Sequence, residues 1–152
     1  MTNFLRFLQV FALGTWVGAI MYLSFVVAPG AFTTLGSRDQ AGAFVGMALG
    51  RLHHFGIMAA AIYIVAGIIL TKWPKVPLAL YLVAVMMILT AISHYRITPR
   101  MADLRTQMVS VDGTPRDNPL RVEFDHLHQW SVRLEGSVLL LGIVALYLTV
   151  RE

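Results

Sequence analysis

The sequence contains no cysteine and few charged residues. The absence of cysteine among the 152 residues excludes disulfides, thiolate metal sites and redox-active thiols. Charged side chains make up only 13% of the chain, whereas hydrophobic side chains make up 57%. A soluble domain of this length rarely has so apolar a composition. The composition therefore predicts a membrane protein, with one integral domain over residues 1–152.

Several familiar functional signatures are also missing. The chain has no P-loop, no dinucleotide-binding motif and no HExxH metal motif. Ser131 stands three residues from His128, but no orienting carboxylate or oxyanion hole accompanies the pair. The formal net charge of +4 does not indicate a nucleic-acid partner, because loop arginines in a membrane protein face anionic lipid and set topology. The expected partner is the lipid bilayer.

Four runs of mostly apolar residues are long enough to cross a membrane. A hydrocarbon core of about 30 Å requires about 20 residues of helix. The runs cover approximately residues 4–28, 52–71, 76–97 and 124–150. The first run is too long for the core of a signal peptide, and no small-residue cleavage site follows it, so we interpret it as a retained span. These runs predict an all-α bundle of four transmembrane helices.

Turn-forming residues separate the four runs. Pro29-Gly30 is expected to end the first helix. Residues 72–75 contain a tryptophan and two lysines and are expected to form a tight hairpin at the membrane interface. Proline and glycine within residues 112–119 break the long polar loop before the fourth run. No internal repeat is evident.

Two polar segments predict that the bundle extends past the lipid as a short helical cap. Ser37 and Gln40 form a capping box that starts a helix. That helix carries three glycines at four-residue spacing, which are Gly42, Gly46 and Gly50. Such a ridge serves ordinary helix packing or the close approach of a partner helix. Residues 123–135 of the fourth run are also polar and lie on the same side.

All five histidines are expected at this same end of the bundle. His53 and His54 open the second run, His94 closes the third, and His126 and His128 open the fourth. Ionisable side chains close to hydrocarbon are costly, and they are candidates for function. The histidine-bearing face is therefore the predicted functional face.

The basic residues suggest an orientation for this face. Seven arginines flank the histidine side, and four basic residues flank the other side, which are Arg6, Lys72, Lys75 and Arg151. The positive-inside rule then places the histidine face in the cytoplasm. The expected location is a bacterial inner membrane.

Helical periodicity predicts which histidines point into the bundle. In the second run, one stripe at alternating three- and four-residue spacing consists of His53, Gly56, Ala60, Tyr63 and Gly67. In the fourth run, one stripe consists of Phe124, His128, Ser131, Glu135 and Gly142. The nearly opposite stripe holds His126, Gln129 and Arg133 and is expected to meet another subunit, the cap or lipid headgroups.

The leading hypothesis is a membrane protein that binds a transition-metal ion or haem. Imidazole and carboxylate groups suit copper, zinc and iron, and a haem b would take one or two histidines as axial ligands. The candidate ligands are His53, His94, His128 and Glu135, with His54 and His126 as weaker candidates. Arg100, Ser131 and Arg133 are candidates for outer-sphere contacts, the arginines as clamps for a carboxylate or propionate.

Other hypotheses remain open from the sequence. The histidines and Glu135 can simply satisfy hydrogen bonds at helix ends, or they can handle protons or a substrate. A cofactor-free transporter or accessory subunit would use the glycine ridge and the stripe from His126 to Arg133 as an interface, in a homodimer or with a membrane-complex partner. An enzyme acting on a lipid or quinone headgroup would use His128 as its general base.

The fine pattern of the chain resembles the transmembrane protein 205-like family, also known as domain of unknown function 4149. The likeness rests on five short motifs in the right order, which are Trp16-x-Gly18, residues 24–29 followed by Phe32, Ala41-Gly42, Pro99-Arg100, and Phe124-x-x-x-His128-x-x-Ser131. A more distant likeness, in length and helix count, is to copper-resistance-D-like proteins and to four-helix oxidases of haem biosynthesis.

The resemblance implies a small integral membrane protein of four helices without a settled biochemical activity. Eukaryotic relatives are linked with resistance to platinum drugs and with secretory traffic. The family pattern extends to Pro99, Arg100, His128 and Ser131 in this chain. The other four histidines and Glu135 depart from that pattern, which fits either a specialised subgroup or no family-wide histidine site. The distant likeness hints at metal or haem.

Overall fold

The computed structural model describes residues 1–71 and 76–151, and the described chain is helical with no strand. Four helices account for it, which are α1 (Thr2–Thr34), α2 (Arg38–Leu70), α3 (Leu78–Gln107) and α4 (Pro119–Arg151). Each is long and apolar enough to cross a membrane. The predicted all-α, four-helix architecture is therefore confirmed. The hairpin expected at residues 72–75 lies outside the described residues.

The four helices form a closed ring. Helix α1 packs against α2, α2 against α3, α3 against α4, and α4 returns to α1. Large buried side chains from all four helices fill the interior, which are Trp16, Ile20, Tyr63, Met86 and Val138. Large apolar side chains such as Phe11, Val65, Ile88 and Leu140 are exposed on the outer faces. In water these outer faces would be unfavourable, and they fit contact with lipid.

Two glycines allow the helices to approach closely. Gly56 lies directly beneath the Trp16 indole, so that a Cβ atom at position 56 would overlap the ring. A Cβ atom on Gly142 would lie 3.0 Å from the terminal methyl of Met86 and closer still to Val17. Gly46, in contrast, faces open space. A Cβ atom is thus sterically excluded at position 56 by a rigid ring, and at position 142 it would require Val17 and Met86 to shift.

The expectation that Pro29-Gly30 ends the first helix is wrong. Helix α1 continues to Thr34, because a π-helical turn at Leu23–Val27 precedes the proline. The N–H of Ala28 donates to the carbonyl of Leu23, five residues back instead of four. Proline removes one N–H and clashes with the carbonyl four residues earlier. The wider turn changes the register at that point, so the helix passes the proline unbroken.

Helix α3 repeats this arrangement 70 residues later. A π-helical turn at Ser93–Ile97 is followed by Thr98, whose N–H donates to the Ser93 carbonyl, and then by Pro99. The buried positions also match at this offset: Leu13 with Val83, Trp16 with Met86, Ile20 with Thr90, and Leu23 with Ser93. Helices α1 and α3 therefore share a pattern that is not evident in the sequence, where among these positions only the proline is identical.

A helical cap extends the bundle beyond the apolar segments, as predicted. The end of α3, the loop after it and the start of α4 form a second apolar cluster of Leu104, Met108, Val111 and Phe124. The start of α2 is bound to this cluster by a hydrogen bond between Asp39 and Val111. The glycine ridge is part of this cap, but it belongs to α2 itself and not to a separate helix. Gly42 contacts the guanidinium of Arg105 and not a backbone.

Asp39 and Ser37 fix the cap at the start of α2. The Gln40 N–H donates to the Ser37 hydroxyl at 3.1 Å, as expected for an N-cap. The Asp39 carboxylate accepts from the Ser110 hydroxyl at 2.6 Å and from the Val111 N–H at 2.9 Å. These hydrogen bonds lower the pKa of Asp39, which lies outside the apolar segments, although partial burial opposes them.

Candidate functional site

Three side chains from three helices converge at the membrane end of the cap. His53 of α2 is 1% exposed, and its Nε2 lies 3.2 Å from Oε2 of Glu135 on α4. The ring of His94, which lies within the π-helical turn of α3, stands edge-on to that of His53 with 5.7 Å between centroids. We call His53, His94 and Glu135 the buried centre. The sequence proposed all three as site residues.

The sequence pattern explains why His53 points inward. The whole predicted stripe of α2 is buried, namely His53, Gly56, Ala60, Tyr63 and Gly67. Its small members let α2 lie close to α1 and α3, which brings the imidazole of His53 to the helix interface. The stripe prediction is confirmed.

Four buried polar atoms at the centre have no hydrogen-bond partner within the described chain. They are Nδ1 of His53, Nδ1 of His94, Oγ1 of Thr90 and Oγ of Ser93. Thr90, Ser93 and His94 lie within one turn of α3, and the ring of His94 contacts that of His53 on α2. Each such atom costs about 1–3 kcal/mol if nothing solvates it. Their grouping indicates a place for a bound water or ion.

The contact with Glu135 determines which nitrogen of His53 carries a proton. An ionised carboxylate only accepts hydrogen bonds, so Nε2 of His53 is the donor. In the neutral ring, Nδ1 then has a free lone pair. This is the arrangement of a metal-binding histidine, whose second ring nitrogen donates to a carboxylate. Glu135 therefore orients His53.

His54 joins the buried centre from outside. Its ring lies 4.2 Å from that of His94, edge to face, and the side chain is exposed. The Tyr95 ring lies on another side of His94, at 4.7 Å. The sequence placed His54 among the weaker candidates. The structure instead brings it into contact with His94, because the packing of α2 against α3 places His94 beside both His53 and His54.

In the described part of the chain, neither His128 nor Ser131 takes part in the contacts among His53, His54, His94 and Glu135. His128 is exposed in the cap, where its ring lies parallel to that of Phe124 with 6.5 Å between centroids. Ser131 is buried. The remainder of the predicted α4 stripe does face inward, since Phe124 and Gly142 are buried and Glu135 is half-buried.

The remaining candidates are engaged in other contacts. Arg100 binds Glu123 through two hydrogen bonds of 2.7 and 2.9 Å, and Asp103 at 2.8 Å, on the surface of the cap. His126 accepts a hydrogen bond from Nε1 of Trp130 at 3.2 Å. The Arg133 guanidinium lies over the Trp130 ring at 5.7 Å. His126, Gln129 and Arg133 are all exposed, as expected for the outer stripe of α4.

Thr90 and Ser93 are site residues that sequence reasoning missed. Both are almost completely buried, at 2% and 1% exposure. The spacing from Thr90 to His94 is one helical turn and could have indicated a shared polar face. Ser93 continues the three- and four-residue spacing of the buried positions Val83, Met86 and Thr90, so the same periodicity could have identified it.

Within residues 1–71 and 76–151, no group of three or more histidine, aspartate or glutamate side chains is close enough to hold a metal ion. Two cavities are described, and neither is lined by a histidine. One is an open apolar groove of about 320 Å³ between α1 and α2, and the other is a polar cavity of about 120 Å³ near Arg6, Gln9 and Thr149. Both lie toward the opposite end of the bundle.

The fold and the buried centre define a small four-helix protein of the membrane type with a histidine–glutamate pair inside the bundle. The chain belongs to the family named domain of unknown function DUF4149, whose model matches residues 11–110. The matched part includes His53, His54 and His94 and ends before α4. No curated protein and no solved structure matches the chain.

Proposed function

We propose that this protein binds a transition-metal ion, copper, zinc or iron, between α2 and α3, with Nδ1 of His53 and Nδ1 of His94 as ligands. The observation that carries this proposal is the state of His53. Its Nδ1 is buried and has no hydrogen-bond partner among the described residues. An ionised Glu135 that accepts from Nε2 leaves Nδ1 of the neutral ring with a lone pair. Imidazole nitrogen is a favoured ligand for all three metals.

Two imidazoles leave coordination positions open, and the neighbouring hydroxyls suit what would fill them. Thr90 and Ser93 each have a buried hydroxyl oxygen with no described partner, within one turn of His94 on α3. Hydroxyl groups are good hydrogen-bond partners for a metal-bound water. In this proposal Glu135 is the orienting acceptor of His53 instead of a ligand, and His128 and His126 take no part.

An ion fits this place better than haem b does. A haem needs a cavity for the macrocycle beside its axial histidine. The two described cavities are not lined by a histidine. The ring centroids of His53 and His94 are only 5.7 Å apart, and the ring of His54 also lies against that of His94, at 4.2 Å. Arg100, which would clamp a propionate, already binds Glu123 and Asp103.

The test is metal binding by untagged protein purified from membranes. Elemental analysis and an ultraviolet–visible spectrum report bound metal or haem, and calorimetric titration with Zn(II), Cu(II) and Fe(II) reports affinity. We expect one ion per chain, and loss of tight binding in His53→Gln and His94→Gln, each of which keeps one of the two imidazole ligands. His126→Gln is the matched control, because His126 is exposed and contacts Trp130 instead of the buried centre. Wild-type protein that binds no metal after such titration contradicts the proposal.

Proton handling is the second candidate function. It is favoured by one observation: Glu135, His53, His94 and His54 form an unbroken series of contacts from the bundle interior to an exposed imidazole. Series of this kind occur in proton relays of pumps and transporters. Proton release or uptake by metal-free protein in liposomes, abolished in Glu135→Gln, would support this function instead.

We further propose the setting of this site. The surplus of arginines near the histidine face supports a cytoplasmic position for it, in a bacterial inner membrane. Gly46 and Gly50 face open space, which leaves room for a partner helix in a homodimer. Accessibility of single cysteines placed in the cap tests the orientation, since the natural chain has none. Light scattering in detergent tests the dimer.

A further inference from the structure

We infer that His54 and His94 form the route by which the metal ion reaches His53. This inference rests on the proposed function. The three rings follow one another from surface to interior: His54 is exposed, His94 is half-buried, and His53 is 1% exposed. Adjacent ring centroids are 4.2 and 5.7 Å apart. An ion can therefore be passed between neighbouring imidazoles without entering an apolar region.

The tautomer of His54 suits an entry ligand. Its Nδ1 lies 3.0 Å from the carbonyl oxygen of Gly50, one turn earlier in α2. Because a carbonyl only accepts hydrogen bonds, Nδ1 carries the proton, and Nε2 of the neutral ring keeps its lone pair. The exposed side chain presents a nitrogen that can take up an ion. His54 and His53 thus offer different nitrogens, each selected by its own hydrogen bond.

His94 is placed to exchange the ion between the other two histidines. It lies in the π-helical turn of α3, and Pro99, just after that turn, has no N–H to donate to the backbone ladder. The Ser93 carbonyl receives the N–H of Thr98 and also its hydroxyl, at 3.0 Å. A turn of this kind often marks a functional position in a helix. Here it holds one imidazole in contact with both His53 and His54.

The role of a residue on the route can be separated from that of a ligand by comparing the rate constants of metal binding with the dissociation constant. A residue that acts only on the route changes the association and dissociation rate constants by the same factor, and the dissociation constant stays the same. A ligand of the bound ion changes the dissociation constant. We therefore expect His54→Gln to slow both rate constants several-fold at unchanged affinity, whereas His53→Gln abolishes tight binding.

The experiment is stopped-flow mixing of the detergent-purified, untagged protein with Zn(II) alone, followed by release to a chromophoric chelator. Wild type, His54→Gln and the control His126→Gln are compared, with equilibrium titrations on the same samples. Equal slowing of uptake and release in His54→Gln, but not in His126→Gln, supports the route. Wild-type rates in His54→Gln overturn it, as does weaker equilibrium affinity, which would make His54 a ligand. If wild type binds no zinc, the proposed function itself has failed.

Discussion

Helices α1 and α3 contain the same backbone feature with different side chains. Each has a π-helical turn, at Leu23–Val27 and at Ser93–Ile97, and each turn is followed by one residue and a proline. In α1 the first turn position is Leu23, which packs in the apolar core, and the next is the exposed Ser24. In α3 the same positions hold Ser93 and His94, whose buried polar atoms have no described partner, and His94 belongs to the buried centre.

The difference separates what the turn does from what the site does. In both helices the turn lets a long helix pass a proline, which is a structural role. Only in α3 does it also orient polar groups toward a neighbouring histidine. The candidate site therefore depends on the polar side chains of α3, because α1 has the same π-helical turn with apolar or exposed side chains and no site.

The largest loss of stability is expected at the glycines that pack against Trp16 and Met86, which occupy matching positions in α1 and α3. Gly56→Ala forces a methyl group into the rigid indole of Trp16, and overpacking of this kind costs about 3 kcal/mol or more. Gly142→Ala meets the flexible end of Met86 and a methyl of Val17, so its cost is smaller. Denaturant unfolding in detergent micelles measures both.

Gly46→Ala is the control for these two variants, because nothing lies within 4 Å of its added methyl. It is expected to be neutral or to stabilise by up to about 1 kcal/mol, since alanine favours the helix over glycine. Equal losses in Gly56→Ala and Gly46→Ala would mean that the indole does not pack on Gly56.

Alanine at the first position of each π-helical turn is expected to change the free energy of unfolding in opposite directions. Leu23→Ala removes a core side chain and costs about 2–5 kcal/mol. Ser93→Ala removes a buried hydroxyl that has no described partner and gains about 1 kcal/mol in the metal-free protein. Unfolding of metal-free samples tests the pair. A loss of stability in Ser93→Ala would show that its hydroxyl has a partner.

A change in the orienting carboxylate is expected to weaken metal affinity without abolishing it. Glu135→Gln keeps the size of the side chain but no longer forces the proton onto Nε2 of His53, and losses of this kind are about 10–100-fold. Glu123→Gln is the control, because Glu123 binds Arg100 on the cap surface. Zinc titration measures both. Unchanged affinity in Glu135→Gln would remove Glu135 from the site.

The smallest changes in zinc affinity are expected when the proline after each π-helical turn is replaced by alanine. Pro99→Ala restores an N–H next to the turn that holds His94, and we expect a weaker zinc affinity than in wild type, with a smaller loss than in Glu135→Gln. Pro29→Ala changes the matching turn in α1, which carries no site residue, so zinc affinity should stay at the wild-type value. Equal losses in the two variants would indicate a general change in packing.

The sequence alone predicts the four helices and the inward position of two site residues, His53 and Glu135. Hydrophobic run length predicted the four helices, and the stripe of small residues predicted that His53 faces inward. The pattern of α4 placed Glu135 on the inward face. These features depend on regular helical periodicity, which a sequence displays directly.

The remaining features depend on interruptions of that periodicity and on helix packing. The π-helical turns have no simple signature, so Pro29-Gly30 predicts a helix end at a point where the helix continues. His128 shares a stripe with Glu135, but two turns separate them, and the cap leaves His128 exposed. The contact of His54 with His94 follows from how α2 and α3 pack, which no single-helix pattern contains.

X-ray absorption spectroscopy at the zinc edge tests the central claim most directly, because it counts the imidazole ligands of a bound ion. For the zinc-loaded wild type the account predicts two imidazole nitrogens at about 2.0–2.1 Å, and one after His94→Gln. A zinc ion surrounded by oxygen alone, or a spectrum unchanged by His53→Gln and His94→Gln, would contradict the assignment of the buried centre as a metal site.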